Sequence, residues 1–251
     1  MLDPRERAGV AEQFGVADEQ VARDHVISHL LALLSAELPE AVTFFGGTAL
    51  ARSHLPDGRL SEDLDLIANA PAERSEVARA VEQLFVSGLR RSFRDVRWDP
   101  PPTAVREPGA AVLWSSAGSV RIQLLRAAGY PPWPTEVVEL VQRYADAGPA
   151  RLRVPTLPAF AAWKTAAWQG RSAARDLWDL WALAGIDAID AVAARLYVGH
   201  GPTGRPPSGW LFDRVPGEVA WRAALGGQTR LSVRAEQAAA VVAEAWRRAT
   251  A

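Results

Sequence analysis

Phe44-Phe45-Gly46-Gly47-Thr48-Ala49-Leu50, followed by Arg59-Leu60-Ser61-Glu62-Asp63-Leu64-Asp65-Leu66, is the stretch that decides how this chain folds. The apolar run 41–45 reads as a short buried strand. Gly46 and Gly47 permit a tight turn and a close backbone approach to a ligand. Thr48 to about His54 reads as a short helix whose N-terminus points back at that turn. Such an end, with unpaired N–H groups and partial positive charge, suits a phosphate. Residues 63–68 read as a strand, with Asp63 and Asp65 on one face and Leu64 and Leu66 on the other. Two carboxylates so placed repel unless solvent, a cation or a partner intervenes. Mg²⁺ resolves this, because it takes oxygen ligands and leaves positions for substrate phosphates. An Asp-x-Asp or a Gly-Gly alone is common in strand ends and turns. In this order, with a helix and the turn Pro56-Asp57-Gly58 between them, they point to displacement at phosphorus.

Working outward, residues 18–37 carry a helical apolar pattern, with Asp18 at its start and Pro39 just past its end. Residues 72–89 form an amphipathic helix. Further strands are expected at 93–98, 111–115 and 119–125, the last two joined by a hairpin around Ala117-Gly118. The loop Tyr130-Pro131-Pro132-Trp133-Pro134 is expected to end the sheet region. Beyond Pro155 only helices are predicted: 157–169, 172–184, 188–197, 218–225 and 232–250. The fold class is therefore α+β: a mixed-sheet lobe with flanking helices, 1–154, then an all-helical lobe, 155–251, expected to complete an active-site cleft.

The 251 residues are 49% hydrophobic and 23% charged, the balance of a globular protein with a sizeable core. There is no cysteine, which excludes disulfides and thiolate metal sites. No run approaches the roughly 20 apolar residues of a spanning helix, and the charged start Met1-Leu2-Asp3-Pro4-Arg5-Glu6-Arg7 lacks a signal-peptide core. The expectation is a cytoplasmic protein with no membrane partner. Net charge is −1, so any polyanion contact must be local. Arg90, Arg91, Arg94 and Arg97, interleaved with Phe93 and Trp98, could grip an RNA backbone and stack an unpaired base, or form a solvated charged edge. Lys164 is the only lysine, either by coding bias or because its position needs a compact ammonium. His25 and His29 are four apart but lack an acid between them, and read as helix packing.

Gly46-Gly47 with Asp63-Leu64-Asp65-Leu66 resembles the signature of the nucleotidyltransferase superfamily, with its polymerase-beta-like fold. Phe45-Gly46-Gly47-Thr48-Ala49-Leu50 with Arg59-x-Ser61-x-Asp63-x-Asp65-Leu66 resembles, more narrowly, the AbiEii/AbiGii type IV toxin family. Pro158-Ala159-Phe160-Ala161-Ala162-Trp163-Lys164 and Arg175-Asp176-Leu177-Trp178-Asp179-Leu180 resemble that family's lysine and Arg-Asp-Leu-x-Asp-Leu motifs. The resemblance implies a toxin that transfers a nucleotide from an NTP to RNA, to the tRNA 3′ end in studied relatives, and that is neutralised by a cognate antitoxin. It implies that Asp63 and Asp65 bind Mg²⁺ and that Gly46, Gly47 and Thr48 hold the phosphate tail, flanked by Arg59 and Ser61. It further implies that Lys164 steadies the triphosphate and that Asp176 completes the catalytic set, as a base or as an orienting group. Asp179 is four residues after Arg175 and reads as half of a surface helix pair. The superfamily's third carboxylate would be expected where this chain has Gln123, which is neither a base nor a good Mg²⁺ ligand. A small-molecule nucleotidyltransferase of the antibiotic-modifying kind and a non-catalytic nucleotide-binding module are the competing readings.

Overall fold

The computed structural model describes residues 2–70 and 72–251, so Met1 and Pro71 lie outside the described residues. The chain opens with a helix the sequence reading did not anticipate, α1 (Pro4–Phe14). Its signal is present: the Asp3 carboxylate accepts from the backbone N–H groups of Arg5 and Glu6, and Pro4 takes the first helical position. α2 (Asp18–Glu37) has the expected bounds, with Ala17 rather than Asp18 as N-cap. Then follow β1 (Val42–Phe45), α3 (Gly46–Ser53), β2 (Asp63–Ala68) and α4 (Arg74–Leu89). α4 is closed at its start by a capping box between Glu73 and Glu76.

The sheet continues with β3 (Arg97–Trp98), β4 (Ala111–Ser115), β5 (Gly118–Arg126), β6 (Thr135–Leu140) and β7 (Ala150–Pro155). All seven strands form one mixed sheet in the order β3-β4-β5-β2-β1-β7-β6. β1 pairs antiparallel with β2 and parallel with β7, while β2 pairs parallel with β5. Two expectations are corrected here. The loop at Tyr130–Pro134 does not end the sheet, because β6 and β7 follow it. The strand expected over 93–98 shrinks to two residues, because Asp95 takes a left-handed φ of 57° and interrupts the extended run.

The chain divides into two compact units: Met1–Tyr130 with Glu136–Val154, and Pro131–Thr135 with Pro155–Ala251. In the first, Phe44, Leu64, Leu66, Ile122, Leu124 and Leu152 supply the sheet's buried side chains, and α2 and α4 pack against each other and on β5. The second is helical: α5 (Leu157–Arg171), α6 (Ala174–Gly185), α7 (Ala191–His200), α8 (Glu218–Leu225) and α9 (Ala235–Ala249). Its core is built on Trp168, Trp221, Trp246 and Tyr197. No described helix is long and apolar enough to cross a membrane.

A buried charge network fixes α3 in place. Arg52, in the last turn of α3, is fully buried and donates to the Asp24 carboxylate of α2 at 2.8 Å and to the Val141 carbonyl at 2.8 Å. Tyr144 donates to the other Asp24 oxygen at 3.0 Å. Arg143 donates to the carbonyls of Ala51 and Pro56 at 3.1 and 2.8 Å. Burial and the neighbouring Arg52 bring the Arg143 guanidinium down to about 10, against the pull of Asp24. Cations at a helix C-terminus oppose its partial negative charge, so one end of α3 is sealed in the protein. Its other end begins at Gly46 and Gly47.

Candidate active site

The N-terminus of α3 is shaped by what a side chain would strike there. Gly46 has φ +80°, and a Cβ on it would lie 2.1 Å from Asp65 Oδ2. Only glycine allows that carboxylate to rest against the helix start. A Cβ on Gly47 would lie 2.6 Å from Arg59 Nη2 and 3.2 Å from Ser61 Oγ. Arg59 and Ser61 are both buried. The two glycines belong to the first turn of the helix itself, rather than to a turn ahead of it. Phe45, the N-cap, has no side-chain oxygen with which to cap the helix. Thr48 donates its hydroxyl to the carbonyl of Asp63, tying the helix start to the start of β2.

β2 has the expected two faces. Asp63 and Asp65 are partly exposed, whereas Leu64 and Leu66 are fully buried. Asp65 is in register with Phe45 of β1 on one side and with Gln123 of β5 on the other. Asp63 is in register with Arg121, whose Nε lies 3.7 Å from Asp63 Oδ1. Gln123 therefore stands directly beside Asp65, at the position expected of a third carboxylate. Its amide donates to the Pro108 carbonyl at 2.5 Å.

The helical unit holds a second charged group. Lys164 of α5 lies 3.2 Å from Asp176 Oδ1 and 2.7 Å from Asp179 Oδ2, both on α6. Arg171 grips Asp176 with both arms of its fork, Nε to Oδ2 at 2.7 Å and Nη2 to Oδ1 at 2.9 Å. Asp176 and Asp179 are buried. Burial pushes the Asp176 carboxyl up, but Lys164 and Arg171 outweigh it and hold the pKa below its ordinary value. Asp179 is thus corrected from a surface pair with Arg175 to a buried partner of Lys164. Its three-residue offset from Asp176, which puts both on one helix face, was the available signal. The Lys164 ammonium is buried and faces both carboxylates.

The arginine patch loses its aromatic partners. Arg90, Arg91, Arg94 and Arg97 are exposed. Phe93 is buried against His25 and His29, and Trp98 stacks on Phe85. Arg97 instead lies over Trp114, 5.4 Å from the ring centre.

The chain matches the family described as nucleotidyl transferase AbiEii toxin, type IV toxin–antitoxin system, over residues 30–248. No curated protein matches it. Among solved structures it is similar to MenT4, a nucleotidyltransferase toxin of Mycobacterium tuberculosis H37Rv. The TM-score is 0.71 at 24% sequence identity, over 97% of this chain and 89% of that one. That likeness carries the α+β nucleotidyltransferase fold, as expected from the sequence.

Proposed function

This chain belongs to the AbiEii family of nucleotidyl transferase toxins of type IV toxin–antitoxin systems, and from that premise we propose that it acts in the cytoplasm, moving a nucleotide from an NTP to the 3′ end of a tRNA with Mg²⁺ and so blocking translation. Family membership makes it a nucleotidyltransferase with a nucleotide substrate and a cognate antitoxin. The acceptor, the metal and the residues are the proposal.

The observation that carries it is the convergence at the start of α3: Asp65 against Gly46, Arg59 and Ser61 against Gly47, and Thr48 bound to Asp63. The carboxylates fit a hard cation, since both are partly exposed on one face of β2 and both offer only oxygen. Asp63 and Asp65 would hold Mg²⁺, which when bound neutralises the triphosphate and polarises its phosphorus. The N–H groups of Gly47 and Thr48 bind the phosphate tail at the positive end of the helix. The Arg59 guanidinium and the Ser61 hydroxyl flank it.

We assign Lys164 the role of steadying the triphosphate. Of the two roles open to Asp176, we assign the orienting one. A carboxylate gripped by Arg171, facing Lys164 and held ionised is a weak proton acceptor, but it aims an ammonium well.

The test is incubation of the purified protein with Mg²⁺, each labelled NTP and total tRNA, beside an Asp65→Ala control. Label on the RNA that disappears in the control supports the proposal. Nucleotide binding without incorporation into RNA sinks it, and label on an aminoglycoside supplied in place of the tRNA in a parallel incubation moves the acceptor to the antibiotic-modifying class.

A further inference from the structure

The two histidines of α2 do not lack an acid. It comes from far along the chain. His25 Nε2 lies 2.8 Å from Asp146 Oδ1, His29 Nε2 lies 3.6 Å from the same oxygen, and the two ring nitrogens are 3.2 Å apart. We propose that His25, His29 and Asp146 form a binding site for a transition-metal dication of the Zn²⁺ class, separate from the Asp63–Asp65 pair.

Three arguments converge on this. The first is donor type: two imidazoles and one carboxylate suit Zn²⁺ and its first-row neighbours rather than Mg²⁺ or Ca²⁺, which prefer oxygen. The second is geometry. A tetrahedral Zn²⁺ with bonds of about 2.0–2.1 Å spaces its ligands about 3.3 Å apart, and the three observed separations scatter around that value. The three atoms are already as close to one another as the ligands of one ion.

The third is the surroundings. His25 and His29 sit one turn apart on a helix, and ring contacts with Phe93 and, for His25, Tyr144 hold them. His29 also lines a cavity of about 450 Å³ with Ala32, Leu33, Gly88 and Gly148. An ion here would clamp α2 to the segment carrying Asp146. Asp24, next to His25 in sequence, already holds Arg52 and Tyr144.

The test is titration of chelator-stripped protein with Zn²⁺ by calorimetry, alongside thermal unfolding. Wild type should bind one ion at this site and gain about 5 °C in Tm at saturating metal. His29→Gln and Asp146→Asn should each weaken binding at least tenfold, while Asp63→Asn/Asp65→Asn should keep it. Binding unchanged in both site variants, or no binding by wild type, overturns the proposal and leaves a hydrogen-bonded cluster. A second measurement needs no variant: Zn²⁺ should shift the imidazole NMR signals of His25 and His29 and spare those of His54 and His200. A shift confined to the latter pair overturns it equally.

Discussion

Two pairs of aspartates dominate the charged chemistry of this chain, and they have opposite surroundings. Asp63 and Asp65 lie on the partly exposed face of β2, and the Asp63 side chain is 38% accessible. Asp176 and Asp179 lie within the helical unit, their side chains 0% and 3% accessible, against the one lysine of the chain. The first pair can be reached by an ion from solvent. The second has its charge met by Lys164 and Arg171. In the proposed function the same residue type serves as a place to bind in one region, and in the other it holds the Lys164 ammonium. Access, not the carboxylate itself, separates the two pairs, since Asp63 also has a basic neighbour in Arg121 at 3.7 Å.

The comparison breaks most readily at Asp65. Asp65→Asn should lower nucleotide transfer by about a thousandfold, or about 4 kcal/mol in the barrier, with Tm within about 2 °C of wild type by calorimetry. The next largest effect is on stability. Lys164→Met removes the ammonium that both buried carboxylates face, and should cost about 3–5 kcal/mol in urea unfolding. Retained stability would mean that the second pair is not sealed as described.

A smaller effect appears in acid. The Asp176 pKa is lowered in the folded state. Its contribution to stability is therefore present above the unfolded carboxylate value of about 3.9 and is lost as pH falls through the lower folded value. The stability gap between wild type and Asp176→Asn should stay level from pH 7 to about 5 and narrow below about 4. The smallest effect is expected at Gln123. Its amide holds Pro108, so Gln123→Ala should change transfer less than about fivefold, or about 1 kcal/mol, because no proton passes through it.

Much of the first pair was legible in sequence, because its parts are local. Gly46-Gly47 and Asp63-x-Asp65 are joined by one short helix and a turn, and strand period two assigns the faces. The second pair was half legible. Motif position singled out Lys164 and Asp176, but Arg175 drew attention from Asp179, whose real partner comes from another helix. Least legible were contacts that span the chain. Asp146 meets His25 across 121 positions, and Asp24 meets Arg52 across 28; no periodicity encodes such distances. β6 and β7 were missed where proline-rich loops suggested that the sheet had ended. Phe93 reads from sequence as part of either a base-stacking patch or a solvated charged edge, because sequence does not show that it packs against His25 and His29.

The most direct test sets the two pairs side by side. Mg²⁺-dependent transfer from labelled NTP to tRNA and the thermal midpoint should be measured together for wild type, Asp63→Asn, Asp65→Asn and Asp179→Asn. Both β2 variants should lose transfer and keep their midpoint, while Asp179→Asn should lose midpoint and keep measurable transfer at a temperature where it remains folded. Wild-type transfer rates in a folded Asp65→Asn protein would contradict the assignment of the exposed pair as the catalytic one.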